Sequence, residues 1–552
     1  MSGPHAPLPL GALDERADHV MVPMRDAVRL ATDVYLPART PAATVLVRLP
    51  YDKSGRFSFM SSIASAFVDR GYAVVVQDVR GKARSEGERV AFVHEASDGE
   101  DTLEWIVAQA WSTGVVGMFG DSYYGFTQWA AASTEHPALR AIVPRVTTTS
   151  LADGWVYDQG LFCLYAMAEW AATAWVDGFL YEDVPDWRVR PLDQLIPRIR
   201  DGRRSPNLDR WHRTPPEDPF WSAGIFGAGR PVRERVRIPA LHSGGWWDVF
   251  QRGQVGDFLT MAGAGVPDQH LVMGATDHFD DELLTGDGPT PDIEVDDEAL
   301  ERFLPGYLAP ALEFFDRHLA GRTAAPIPPV RWHLANEGWM TAETWPPAGA
   351  EDLRLYVAAS RRALDGPEGG GLASAPDRSG SDASWTHDPG DLVPDLIDDV
   401  WRPLLGLPDE REVEGRNDVL TFTGEAARTP LDLAGPARLD AVVAGEGPRM
   451  HLMAKLVDVD PAGRARRILQ GGALVTEPAS DRPVRVELGH TGYRLLPGHR
   501  LRLEIASSDH PRYLWDPGTD EDPWSAEAGV PRRRTVRGGA SASAVLTLSV
   551  LR

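Results

Sequence analysis

At 552 residues the chain is longer than one hydrophobic core organises, and it predicts two to four domains. Hydrophobic residues make up 43% and charged residues 25%, an ordinary globular balance. The net charge of −24 argues against nucleic-acid binding, which needs basic patches to neutralise phosphate, and reads instead as solubility.

The single cysteine, Cys163, excludes an internal disulfide and a multi-cysteine metal site. No apolar run approaches the ~18 residues that span a bilayer. Met1 to Asp18 lacks the apolar core of a secretory signal, so cytoplasmic residence is expected. The only lysines are Lys53, Lys82 and Lys455, which reads as a coding bias.

Residues 20–36 alternate around Arg25-Asp26 and predict a hairpin. Thr44 to Arg48 is a short apolar strand leading into the loop Leu49-Pro-Tyr-Asp-Lys-Ser-Gly55. Ile63 to Val68 reads as helix and Tyr72 to Val76 as a buried strand. A polar loop follows from Asp78 to Glu88. Asp98 to Ala110 is amphipathic, with Leu103, Ile106 and Val107 on one face. After a further strand and helix comes the strand Ala141 to Val143. This alternation predicts a mostly parallel sheet covered on both faces.

From Thr149 to Val232 the rhythm breaks. Helical stretches, proline-rich joints and six tryptophans (155, 170, 175, 187, 211 and 221) predict a helical insertion over the sheet. The α/β pattern resumes with a strand at Ala240 to Ser243, a helix from about Val249 and a strand at His270 to Met273. Leu312 to Leu319 is another amphipathic helix. Beyond the proline-rich 344–351 segment, period-two strands follow without helices: 353–357, 484–488, 501–505 and 546–550. They predict an antiparallel sandwich, plausibly a jelly roll. Gly366 to Ser384, rich in Gly, Ser and Asp, predicts a flexible surface loop. The expected domains are an α/β core over 1–149 and 233–345, a helical cap over 150–232 and a β-sandwich over 346–552.

The stretch Val115-Val-Gly-Met-Phe-Gly-Asp-Ser-Tyr-Tyr-Gly125 organises the rest. An apolar strand runs to Phe119, Ser122 follows between two glycines, and a helix-forming run begins at Phe126. A strand turning sharply into a helix pushes the turn side chain out of a strained backbone, as in a nucleophile elbow. Tyr124 stands where the narrow G-x-S-x-G pattern has its second glycine, and Gly125 comes one later. The motif alone fits either a catalytic turn or an ordinary strand–helix junction.

A serine nucleophile needs a base, and the base needs a group that fixes its tautomer. In α/β-hydrolases these follow in the order Ser, acid, His, each beyond a strand. Asp248, in Ser243-Gly-Gly-Trp-Trp-Asp248, and His278, in Met273-Gly-Ala-Thr-Asp-His278, meet that order. Among the fifteen histidines His278 alone has this placement; His242 sits inside a strand, His318 in a helix and His499 in the sandwich. Asp277 and Asp280 flank His278 and are alternative orienters, disfavoured because neighbouring side chains rarely reach the same ring nitrogen. The Tyr123 backbone N–H falls where an oxyanion donor is needed. Tyr51 is the polar candidate for a second donor, or else packs beside Pro50.

These residues carry a family resemblance. The chain resembles the CocE/NonD type of α/β-hydrolase, the cocaine esterase and X-Pro dipeptidyl-peptidase group. The likeness lies in Pro23-Met-Arg-Asp26 with Leu30-Ala-Thr-Asp-Val-Tyr35, in Arg48-Leu-Pro-Tyr-Asp-Lys53, in Gln77-Asp-Val-Arg-Gly81 with Ser85-Glu-Gly87, and in Gly120-Asp-Ser-Tyr-Tyr-Gly125. It continues through Gly245-Trp-Trp-Asp248, Phe315-Asp-Arg-His-Leu319 and the Lys455 to Asp460 segment with Gly463. The displaced Gly125 fits, because this family's elbow reads G-x-S-Y-x-G.

The resemblance implies an α/β-hydrolase core with a helical cap and a C-terminal all-β jelly-roll sandwich. It implies Ser122 as nucleophile, Asp248 as orienter, His278 as general base and acid, and the Tyr51 hydroxyl with the Tyr123 N–H as oxyanion hole. Trp155, Trp170 and Phe250 then line an acyl pocket, set against the reading that cap tryptophans are the core of a helical layer. The histidine loop departs from the family's Gly-Pro-Trp-Ser-His, reading Gly274-Ala-Thr-Asp-His278.

The activity expected is ester hydrolysis of a small acyl substrate through an acyl-enzyme. A peptidase or amidase on the same triad is the alternative, with Glu169 and Asp177 as candidate holders of a substrate ammonium. A binding scaffold with a vestigial elbow is the non-enzyme rival. No cofactor or metal motif occurs, the partner expected is a small-molecule ester or amide, and self-association into a homo-oligomer is left open.

Overall fold

The structure, a computed structural model, describes residues 10–55, 58–174, 186–194, 206–222, 232–279, 297–322, 326–358, 361–366, 369–376, 381–404, 406–539 and 544–552. The first sheet opens with β1 (Asp18–Pro23) and β2 (Arg29–Tyr35), the antiparallel hairpin read from the sequence. It continues with β3 (Ala42–Leu49), β4 (Ala73–Asp78), β5 (Ser112–Asp121) and β6 (Leu139–Arg145). Between them lie α1 (Met60–Asp69), α2 (Glu95–Val107) and α3 (Ser122–Ala132). Every residue of β4 is buried, and so are seven of the eight in β3. Strands covered on both faces read as continuous apolar runs, which is how the sequence announced them.

The cap begins with a two-residue hairpin, β7 (Tyr157–Asp158) with β8 (Leu161–Phe162), which the sequence pattern did not show, and then α4 (Leu164–Ala174). Trp155, Trp170, Trp187, Trp211 and Trp221 are all buried in the same apolar cluster as the sheet below them. Cap and sheet therefore share a core. Trp175 and Asp177 lie outside the described residues.

The sheet resumes with β9 (Ala240–Gly245), α5 (Gln251–Gly263) and β10 (Gln269–Gly274). A long helix, α6 (Asp297–His318), precedes β11 (Val330–Leu334) and β12 (Gly338–Ala342). The strand order is β1-β2-β4-β3-β5-β6-β9-β10-β11-β12. From β4 through β11 the neighbours run parallel, and antiparallel strands close both edges. The edge pair β11 and β12 was not read from the sequence.

The remaining strands form one 11-stranded sheet. They are β13 (Ala350–Ala358), β14 (Gly370–Ala373), β15 (Ala383–His387), β16 (Leu420–Thr423), β17 (Leu431–Gly445) and β18 (Arg449–Val459). They end with β19 (Ala465–Thr476), β20 (Arg482–Leu495), β21 (Arg500–Ala506), β22 (Arg532–Val536) and β23 (Val545–Leu551). Inward-facing Leu439, Val443, Leu452, Leu456, Val486, Leu503 and Leu546 close one core between its layers.

One expectation is corrected here. Gly366 to Ser384 is not loop throughout, because β14 lies inside it and pairs with β13 and β16. A Cβ on Gly370 would stand 2.5 Å from the Phe422 ring and the Thr421 carbonyl. The glycine there admits close strand packing, a use of glycine that composition does not separate from flexibility.

The two sheets meet over aromatic and amide contacts. Trp246 stacks on Trp345 at 5.0 Å, and the Trp345 indole N–H donates to His490 Nδ1 of β20 at 3.1 Å. Gln251, at the head of α5, accepts from the His490 N–H of β20 at 2.9 Å. The turn that carries Asp248 is thereby fixed against the sandwich.

Candidate active site

Ser122 sits at the junction of β5 and α3 with φ 53°, in the left-handed region that a non-glycine residue seldom enters. The neighbouring packing imposes the turn. A Cβ on Gly120 would meet the Tyr124 ring at 2.1 Å, and one on Gly125 would meet Thr147 at 2.6 Å. Gln128 then ties the turn to the sheet. Its amide donates to the Gly120 and Val143 carbonyls, each at 3.0 Å, and accepts from the Val143 N–H at 2.9 Å. On the other side, the Asp121 carboxylate accepts from Arg145 at 2.9 Å and from the Tyr307 hydroxyl at 2.7 Å.

Tyr51 follows β3 and is buried, and its hydroxyl is in hydrogen-bonding contact with the Ser122 hydroxyl and with the Trp170 indole N–H at 3.5 Å. Burial pushes the Tyr51 hydroxyl up to about 12, opposed by those two hydrogen bonds, so it stays protonated near neutrality and can donate. Tyr123 is the second residue of α3, where the first N–H groups of a helix have no intrahelical acceptor. Its side chain is locked from behind: the hydroxyl accepts from the Phe92 N–H and donates to Glu95, each at 2.8 Å. Glu95 is itself paired with the fully buried Arg48 at 2.9 Å. Burial raises the Glu95 carboxyl, and Arg48 opposes that rise.

Asp248 lies just past β9 and His278 just past β10, and His278 Nδ1 meets Asp248 Oδ1 at 2.9 Å. The second carboxylate oxygen, Oδ2, is buried without a hydrogen-bond partner among the described residues. Asp277 accepts instead from the backbone N–H groups of Phe279 at 3.0 Å and Leu404 at 3.2 Å, so it shapes the loop. Asp280 lies outside the described residues. His242 packs against Trp129 and bonds Gln269, His318 packs tilted against Phe314 and His499 bonds Asp458, and none of the three lines the space at Ser122.

A chamber of about 20 Å³ opens at Ser122, walled by Trp155, Trp170 and Phe250 together with Phe92, Phe126 and Trp401. Phe250 and Trp401 also contact the His278 ring, at 5.6 and 5.1 Å between centroids, which sets the imidazole at the chamber's edge. Trp170 lies parallel to Tyr123 and Phe92, at 5.9 and 5.6 Å.

Phe92 and Trp401 escaped the sequence reading. Phe92 stands in a polar loop at φ 69°, where no period marks it. Trp401 belongs to the sandwich and crosses over to the site. Its carbonyl accepts from the His278 N–H at 3.2 Å, and its indole donates to Glu169 Oε2 at 2.6 Å. No local pattern carries a contact made across more than a hundred residues of chain. Among the described residues no group of side chains is arranged to hold a metal ion, and no helix is long and apolar enough to cross a membrane.

An elbow serine on a parallel sheet, a helical cap and a C-terminal β-sandwich define a serine hydrolase of the α/β-hydrolase fold. Residues 26–280 match the X-Pro dipeptidyl-peptidase (S15 family) domain, and residues 323–546 match the X-Pro dipeptidyl-peptidase C-terminal non-catalytic domain. The chain is 32% identical to the cocaine esterase of Rhodococcus sp. over 549 residues, 90% of this chain and 91% of that one. It therefore belongs to the CocE/NonD family of serine hydrolases.

The fold is shared with an aminopeptidase of a marine-sediment Thaumarchaeota archaeon, at TM-score 0.80 and 21% identity over 100% of both chains. An α-amino acid ester hydrolase matches at TM-score 0.79 and 24% identity over 98% of each.

Proposed function

We propose that the protein hydrolyses carboxylic esters of small acyl groups through Ser122, with His278 as base and Asp248 as its orienter. The observation that carries this reading is the strained Ser122 turn, with its hydroxyl against Tyr51, beside a chamber whose rim holds the His278–Asp248 couple. With Nδ1–H donating to Asp248, the imidazole presents Nε2 as the base.

In the first step Ser122 Oγ leaves its contact with Tyr51 and gives its proton to His278 Nε2 as it bonds the substrate carbonyl carbon. The carbonyl oxygen takes the negative charge and accepts from the Tyr51 hydroxyl and the Tyr123 N–H. Collapse breaks the bond to the leaving alkoxide, which takes the proton from His278. Water then repeats the sequence on the acyl-enzyme, His278 removing its proton, and releases the acid and free Ser122.

The likeness to a cocaine esterase across nine-tenths of both chains favours the ester reading over the peptidase one. Glu169, the candidate holder of a substrate ammonium, accepts from the Trp401 indole through Oε2, which ties that carboxylate to the aromatic wall.

The test compares p-nitrophenyl esters with an X-Pro-nitroanilide and an α-amino ester. Ester turnover lost by about 10⁶-fold in Ser122→Ala is the expected result, since the members of such a unit fail together. Wild-type turnover by Ser122→Ala contradicts the assignment, and preference for the anilide or for the amino ester moves the substrate class.

A further inference from the structure

Two cavities lie back to back at the active site. The chamber at Ser122, at about 20 Å³, has room for little more than one water-sized group, for which about 10–15 Å³ suffices. The second, of about 130 Å³, lies between the cap, the turn after β9 and the sandwich. Cavities of about 150 Å³ lined by apolar side chains take up benzene, so this one has room for several carbon atoms.

Three chain segments build the wall between the two, and each faces both ways. Trp155 fronts the chamber while Gly154 fronts the second cavity; Phe250 does so against Asp248, Val249 and Gln251; Trp401 does so against Val400 and Pro403. Of the described residues that line either space, Trp155 alone lines both.

Its anchoring differs from that of the other two chamber indoles. The Trp170 N–H donates to Tyr51 and the Trp401 N–H to Glu169. The Trp155 N–H is buried without a hydrogen-bond partner among the described residues. Its ring is held by packing alone, edge-on to Trp170 at 5.1 Å and tilted against Phe250 at 6.1 Å.

The lining of the second cavity indicates what it would take. Ala166, Val249, Ile397, Val400, Leu469 and Leu488 give it apolar wall, interrupted by Gln470 and by the carboxylates of Asp158, Asp248 and Glu487. Its arginines are already matched: Arg252 to Asp158 at 2.8 Å, Arg467 to Asp395 at 2.9 Å, and Arg512 to Asp395 at 3.4 Å. An apolar occupant suits it better than an anionic one.

We infer that the Trp155 indole is a partition that sets the length limit on the acyl group, and that the cavity behind it is a latent site for the distal carbons of an aliphatic acyl chain. The inference rests on the reading of Ser122 as the residue that carries the acyl group. Burying one methylene is worth about fourfold in binding, so a few carbons passing the wall change the preference between esters measurably.

The experiment measures kcat/KM for p-nitrophenyl acetate and octanoate. In Trp155→Ala the octanoate-to-acetate ratio is expected to rise at least about tenfold over wild type. Adding Ala166→Leu, which narrows the second cavity, is expected to return the ratio toward the wild-type value. Should Trp155→Ala fail to fold, Trp155→Val reads the same ratio with a smaller opening. A flat or lower ratio in an enzyme whose acetate turnover depends on Ser122 overturns the partition alone. Acetate turnover that persists in Ser122→Ala overturns the reading beneath it, and the partition with it.

Discussion

Two groups of buried charges, one at the active site and one in the sandwich, use the same chemical parts differently. In the sandwich, Lys455 meets Asp509 at 3.0 Å and Glu410 at 3.3 Å, and Arg467 meets Asp395 and Glu410. Each cation has two carboxylate partners, and Glu410 is shared by both cations. Opposing effects act on each carboxyl: burial raises Glu410, and Arg467 and Lys455 outweigh it and hold the group low.

The couple at the active site is sparser. His278 and Asp248 share one hydrogen bond, and Asp248 Oδ2 has no partner among the described residues. Ion pairs on two sides of each cation fix a geometry, whereas the single contact to Asp248 orients the imidazole and leaves its other nitrogen to exchange a proton. The Lys455 to Asp460 segment, one of the motifs behind the family resemblance, thus has an architectural reading in place of a chemical one.

The sharpest way to break that comparison is Asp248→Asn. The geometry persists while the tautomer preference of His278 reverses, and kcat is expected to fall by about 10⁴-fold with little loss of stability. A loss of only a few-fold would place Asp248 with the sandwich cluster, as an architectural group. Next, Lys455→Met leaves Asp509 and Glu410 undercompensated. Breaking a buried pair from one side costs about 3–5 kcal/mol, read as a lowered midpoint in urea. Ester turnover of the folded fraction is expected to stay within about twofold of wild type, as for substitutions far from a site.

Tyr51→Phe sharpens the comparison from within the site. Losing one oxyanion donor costs about 2.7–4 kcal/mol of transition-state stabilisation, seen in kcat and not in folding. Unchanged kcat would remove Tyr51 from the oxyanion hole. Glu95→Gln acts through the Tyr123 side chain and is expected to have the smallest effect on turnover, a kcat decrease of about 1 kcal/mol equivalent, the worth of one hydrogen bond, while stability falls further because Arg48 loses a buried partner.

Much of the fold was legible because parallel strands are buried on both faces and say so in composition. Tyr72 to Val76 and His270 to Met273 both fall on observed strands, β4 (Ala73–Asp78) and β10 (Gln269–Gly274). The hairpin at Arg25-Asp26 was equally plain. The opposite edge was not, since β12 has no fully buried residue to impose a period. At the candidate site, loops after parallel strands converge on one edge of the sheet, which brings Asp248 and His278, proposed from their order in the sequence, to 2.9 Å.

The aromatic wall was half readable. Trp155, Trp170 and Phe250 came from a resemblance, while Trp401 arrives from the sandwich, where chain separation hides it. The locks on the elbow were also invisible beforehand. Gln128, Glu95 and Arg145 look like ordinary polar residues until the fold buries them.

The central claim is that Ser122 is a nucleophile made reactive by His278. An organophosphonate ester reports it directly, because phosphonylation requires an activated hydroxyl, and mass spectrometry of the digested protein locates the adduct. One adduct per chain on the peptide holding Ser122, absent in His278→Ala, is the result this account predicts. An ester-hydrolysing preparation with no adduct, or with the adduct on another residue, would contradict it.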